Sequence, residues 1–168
     1  MVSFIKKIDR LVINAVYPAV VALGLLIAFS ITLGVFSRSL LNVPLFGLEE
    51  ITLICSMWFY MMGASMASRE RSHLSADFIE VITDNRTVRN AFKLLAGLIT
   101  VVMSIFFVNW SYDFLMFSFE KVSKTPVFSI PWYLSQLSLL IASILMSIYL
   151  IRDLLKDVKD ILVNNKEH

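Results

Sequence analysis

Four stretches of this 168-residue chain contain no charged residue: 11–37, 51–68, 94–112 and 125–151, with 27, 18, 19 and 27 residues. A helix rises about 1.5 Å per residue, so about 20 residues cross a hydrocarbon core of about 30 Å. Each stretch reaches the ~18-residue length at which a membrane-spanning helix is the first reading. Strands of a membrane barrel alternate in polarity and run only about 9–11 residues, so a closed barrel is excluded. Apolar residues make up 58% of the chain, well above the about 45–50% of soluble domains. The chain is therefore predicted to be an all-α membrane protein with four transmembrane helices. They form a single domain over 1–168, with spans at about 18–37, 50–68, 94–114 and 131–151. The first stretch is too long for the apolar region of a cleavable signal peptide, and no A-x-A site follows it.

The segments between the spans read as amphipathic. Over residues 2–14, Phe4, Ile5, Ile8, Leu11 and Val12 share a helical face away from Lys6, Lys7, Asp9 and Arg10, which predicts a short helix on the membrane surface. Pro18 then marks either a kink or a helix start. Between the second and third spans, Leu74, Phe78, Ile79 and Ile82 lie together, away from Asp77 and Glu80. A second surface helix is predicted there, with Thr83 or Asp84 capping the helix that follows. The tail from Arg152 reads as a helical continuation of the fourth span. Lysine and arginine set the orientation: twelve fall in the N-terminal segment, the 68–93 loop and the tail, against three in the other two loops. By the positive-inside rule both termini and the middle loop are cytoplasmic.

The second span has marked ends. Asn42, Val43, Pro44 and Gly47 form a turn, then Glu49 and Glu50 open the helix, where the dipole favours acids. Arg38 ends the first span. It either pairs with one of the two acids across the turn, or all three charges are solvated separately at headgroup level. Gly24 with Ala28, Ser30 with Gly34, and Gly63 with Ala67 are spaced as small-xxx-small pairs. Such pairs let helices approach closely, although glycine is also simply common in membrane helices. Trp58, Phe59 and Tyr60 lie near mid-span, where packing or lipid contact is the default. Arg69, Arg71 and His73 close the stretch, with Asp77 just beyond. His73 is read as hydrogen-bonding to neighbours or to a partner protein, in preference to a ligand site or pH switch.

The most informative chemical fact is what the spans lack. No ionisable side chain lies near the middle of any of them; Arg38 and Asp113 come closest, each within about a turn of an end. Intramembrane ionisable groups mark ion and proton paths, so the usual equipment of a proton-coupled pump is missing. A haem bundle needs axial histidines, and only His73 and His168 exist. The single cysteine, Cys55, forms no internal disulfide and starts no metal site. Glu49 and Glu50 are adjacent and diverge by about 100° on a helix, so they do not converge on one catalytic centre. Basic residues fall in separated clusters rather than one stripe, which argues against nucleic acid. No enzyme activity, cofactor or metal is expected.

The 47–82 region resembles the small membrane subunit of tripartite ATP-independent periplasmic (TRAP) transporters, the DctQ/SiaQ type. The residues that carry the resemblance are Glu49 or Glu50, Trp58, Gly63, Arg69 or Arg71, His73 and Asp77, within a chain of the right length and span number. The resemblance implies a bacterial inner-membrane subunit with two partners, a large elevator-type membrane subunit and a periplasmic substrate-binding protein. It implies sodium-coupled symport of an organic acid, of the sialic acid or C4-dicarboxylate type. The role implied for this chain is accessory: to stabilise the static part of the large subunit and to help dock the binding protein. Arg38, Glu49, Glu50, Trp58, Gly63, Arg69, Arg71, His73, Asp77 and Asp113 then become partner-interface or membrane-positioning residues. Two other readings remain: a self-sufficient small oligomeric transporter or channel, and a membrane enzyme or electron carrier.

Overall fold

In the computed structural model, which describes residues 2–43, 45–70 and 86–164, the chain is helical almost throughout. Helix α1 runs from Val2 to Phe36 and passes into a π-helical turn, Ser37–Leu41. Helix α2 covers Leu48–Arg69, α3 Arg86–Lys121 and α4 Tyr133–Asn164. All four contain segments long and apolar enough to cross a membrane: Asn14–Leu40, Leu48–Arg69, Val88–Lys121 and Tyr133–Leu162.

Two features differ from the sequence reading. The segment before Pro18 is not a separate short helix, because α1 continues unbroken through Pro18. Proline removes one helical hydrogen bond, but membrane helices tolerate it where the freed backbone groups find other partners. The third helix does not stop near residue 114 but runs on to Lys121. Leu115 and Ser118, one turn apart, are both buried in that extension. The predicted surface helix around Leu74–Ile82 and its Thr83 or Asp84 cap lie outside the described residues.

Helix ends follow local chemistry. Asn42 takes a left-handed conformation, φ 52°, and its N–H bonds the Ser37 carbonyl, closing the π-helical turn. Asparagine is among the few residues that accept this geometry readily. The Ser37 hydroxyl donates to the Val43 carbonyl and fastens the same turn. At the end of α3, Val122 also turns left-handed, φ 45°. The chain then folds into a narrow loop in which Lys124 bridges Pro131 antiparallel. Thr125 N–H donates to the Ile130 carbonyl at 2.9 Å, and Trp132 N–H to the Ser123 carbonyl at 3.0 Å.

The chain forms two compact units. The first comprises Met1–Gly63 and Leu115–Leu139, the second Ala64–Phe114 and Leu140–His168. In the first, Gly24 of α1 lies against the Phe59 ring of α2, where an added Cβ would stand 3.1 Å from the ring. The Trp58 indole N–H donates to the Leu134 carbonyl at 3.1 Å, tying α2 to the start of α4. Phe119 and Tyr133 stack at 4.6 Å, joining the end of α3 to α4. In the second unit, an added Cβ on Gly97 would stand 3.0 Å from Leu154, so α3 and α4 pack closely there. Arg152 of α4 donates to the Arg69 carbonyl at 3.0 Å and to Asp153 at 2.8 Å. It thereby caps the C-terminus of α2, whose last carbonyls have no helical partner. Lys93 and Asp157 form a further ion pair at 3.3 Å.

The packing is reversed relative to a water-soluble core. Among the described residues, twelve buried polar residues (ten Ser, with Thr125 and Gln136) stand against four buried apolar ones, Met62, Leu115, Ala142 and Tyr149. Large apolar side chains such as Leu25 and Phe29 are exposed. In lipid no hydrophobic force draws helices together, so small residues that permit close approach form the interior. Several of the interior hydroxyls bond carbonyls of their own helix: Ser111 to Phe107, Ser143 to Leu140 and Ser147 to Ser143, all at 2.7–2.9 Å.

Gly24 and Gly63 therefore have different expected sensitivities. Gly24→Leu forces the Phe59 ring aside and lowers the stability of the purified chain by about 1–3 kcal/mol, the usual range for overpacking. An added Cβ at Gly63 meets nothing within 4 Å, so Gly63→Ala does not lower the thermal midpoint of the isolated chain. Thermal unfolding in one detergent compares the two.

Candidate functional site

The start of α2 is where the first unit's elements are tied together. Gly47 precedes the helix with φ +93°, and its carbonyl accepts the N–H groups of Glu50 and Ile51 at 3.1 and 3.3 Å. Glycine is required there twice over. The positive φ suits it, and an added Cβ would overlap the Phe128 ring, with two ring atoms at 2.8 and 2.9 Å and a third closer still. The loop before α2 and the loop before α4 thus touch at a position that accepts no side chain.

Glu49 and Glu50 then take separate partners. Glu49 Oε1 accepts from Arg38 Nη2 at 2.8 Å. Of the two acids that Arg38 could pair with, the structure selects Glu49. The side chains are 69% and 85% exposed, and exposed pairs of this kind contribute about 0.2–1 kcal/mol. Glu50 reaches the 123–132 loop. Its Oε1 accepts the Val127 N–H at 2.7 Å and its Oε2 the Phe128 N–H at 3.0 Å. The Thr125 side chain lies beside the same carboxylate. Thr125 is buried, and its hydroxyl oxygen also accepts the Ile130 N–H at 3.0 Å. Successive backbone N–H groups in a turn form a concavity for an anion, and the chain fills this one with its own carboxylate.

Beside the pair runs an open groove of about 360 Å³, lined by residues that include Ser30, Gly34, Arg38, Leu48, Glu49 and Thr52. It is apolar along its length and charged at one rim. No nucleophile–base pair lies in it. Among the described residues no group of three or more His, Cys, Asp or Glu side chains could hold a metal ion.

The remaining predicted residues are dispersed. Trp58 is half-buried and bonded to α4 through its indole N–H. Gly63 lies in α2 with open space around it. Arg69 ends α2 and contributes its carbonyl to Arg152. Asp113 is exposed on α3, with no partner among the described residues. Arg71, His73 and Asp77 lie outside the described residues. Sequence reasoning missed Thr125, the amides of Val127 and Phe128, and Arg152. Only Arg152 carried a signal, as the first charge after a 27-residue uncharged stretch.

These contacts define a class: an all-helical membrane protein whose charged groups fasten helix ends and loops, around a described interior of hydroxyls, one amide and a few apolar side chains. Residues 14–160 match the family described as tripartite ATP-independent periplasmic transporters, DctQ component. The chain belongs to that family and is the small membrane component of such a transporter. A comparison with curated proteins finds no match.

The separate roles of the two acids are measurable. Glu50→Ala is expected to remove hydrogen-exchange protection from the Val127 and Phe128 amides, whereas Glu49→Ala leaves it in place. Equal loss in both variants would contradict the assignment.

Proposed function

We propose that the chain is the static accessory subunit of a sodium-coupled importer of an organic acid in a bacterial inner membrane, with both termini cytoplasmic. The observation that carries this reading is the character of the buried polar groups: the described ones are serine, threonine and glutamine, with no carboxylate, amine, guanidinium or imidazole. Coupling sites in membranes are normally marked by ionisable groups turned inward. Apart from Asp113, the described charges lie outside the uncharged cores of the spans, and Glu49, Glu50 and Arg152 fasten helix ends and a loop. Its membership of a tripartite transporter family supplies the partners that such a subunit needs, a larger membrane protein and a periplasmic binding protein. Carriage and sodium coupling then fall to the large subunit, with sialic acid or C4-dicarboxylate as the cargo class. This chain acts as scaffold, performs no catalysis, and its loops before α2 and α4 help dock the binding protein.

Reconstitution tests the reading. Vesicles holding this chain alone are expected to show no solute uptake under an inward sodium gradient. Adding the large subunit and the binding protein restores sodium-dependent uptake of a carboxylate. Glu49→Lys or Glu50→Lys is expected to reduce assembly and uptake without altering which acid is taken. Uptake by the chain alone, or altered substrate preference with intact assembly, would contradict the scaffold role.

A further inference from the structure

On α3, Leu95, Ile99, Val102, Phe106, Asn109 and Asp113 repeat at alternating spacings of four and three. That interval keeps residues on one seam of a helix facing a neighbouring helix. Leu95, Ile99, Val102 and Phe106 are each 43–55% exposed, and Asn109 and Asp113 are exposed as well. Gly97, Ser104 and Ser111 lie on the opposite side, towards the helix's own contacts; Ser111 is buried and Gly97 meets Leu154. At 100° per residue, Asp113 projects about 160° away from the Gly97 side.

The polar end of this seam is costly in lipid. Asp113 interrupts an otherwise uncharged run from 94 to 119, with 19 residues before it and FLMFSF after it. The nearest charge toward the helix end, Glu120, is about 10 Å further along. One turn deeper, the Asn109 amide N–H donates to the Ile105 carbonyl at 3.1 Å, and its amide oxygen accepts nothing among the described residues. A carboxylate in a spanning helix normally faces a bundle interior or a paired charge. Here it does neither within the described chain.

We infer that this seam is the docking face for a transmembrane helix of the transporter's large subunit, and that the docking helix brings a lysine or arginine to Asp113 and a hydrogen-bond donor to Asn109. Charge selects this occupant. Lipid tails offer Asp113 no partner. A second copy packed on the same seam in parallel, about a two-fold axis, sets Asp113 against Asp113, which repels. The inference rests on the reading of this chain as a scaffold subunit, and it adds which face meets the partner.

The test uses the chain co-expressed with its large membrane subunit. Asp113→Lys is expected to lower the large subunit recovered per chain by about tenfold or more, as for truncation or reversal within a desolvated charge pair. Asp113→Asn lowers it less. The helicity and elution of the isolated variants stay unchanged, because Asp113 has no partner to lose among the described residues. In a Cys55→Ser background, a spin label at Phe106→Cys is open to oxygen in the isolated chain and shielded in the complex; adding Asp113→Lys reopens it. If the wild-type large subunit co-purifies but the label stays oxygen-accessible, or Asp113→Lys assembles normally, the docking face is wrong while the subunit reading stands. If the label is shielded by a second copy of this chain, the proposal fails as well. If no large subunit co-purifies with the wild type, both fall.

Discussion

Two adjacent carboxylates at the start of α2 hold the first unit together because they are adjacent. Side chains one residue apart on a helix point about 100° apart, so one short segment reaches two partners. Glu49 takes the guanidinium of Arg38 at the end of the first span. Glu50 takes two backbone amides from a loop 77–78 residues further on. Gly47 sits beneath the arrangement and allows the Phe128 ring to come close. A side chain at 47, or a non-acceptor at 50, separates the loop from the helix. The exposed ion pair adds little to stability by itself. The Glu50 contact is different in kind: it satisfies two backbone donors at once and so fixes the conformation of the turn.

The rest of the bundle is built from close approach rather than from apolar mass. Serine dominates the buried positions, and the hydroxyls of Ser111, Ser138, Ser143 and Ser147 bond carbonyls of their own helix, whereas those of Ser68, Ser118 and Ser135 find no partner among the described residues. Glycine permits close approach where a ring or a leucine comes closest, at Gly24 and Gly97. The large apolar residues are released to the outside, where lipid or a partner subunit covers them. A protein made this way is a surface for other membrane components, which suits an accessory subunit.

Much of this could be read in the residues. The length of four uncharged stretches was enough for the four helices, because a bilayer demands length and neutrality and little else. The divergence of Glu49 and Glu50 follows from helix geometry, whereas for Arg38 the residues leave open both a pair with either acid and separate solvation of all three charges. Glu50's partners were illegible because backbone amides carry no residue signature and the contact spans about 77 positions. The serine interior was hidden for a related reason: serine looks like a minor interruption in an apolar run until the packing shows which face it occupies. The residues predict a separate short helix before Pro18 because proline favours a helix start over a helix interior, and the unbroken α1 shows that this preference does not decide the matter here. Asp113 reads as an interfacial charge, and its exposure without a partner among the described residues is visible only with the helix packing around it.

A static subunit requires that the geometry at the start of α2 stay fixed during transport, and a distance measurement addresses this directly. Spin labels at Phe29, on α1, and Val122, in the loop before α4, both exposed positions in the same unit, report whether that unit changes during transport. The account predicts one narrow distance distribution in the assembled transporter, unchanged by sodium and substrate. A second population or a shifted mean on adding sodium and substrate would contradict a static role for this chain.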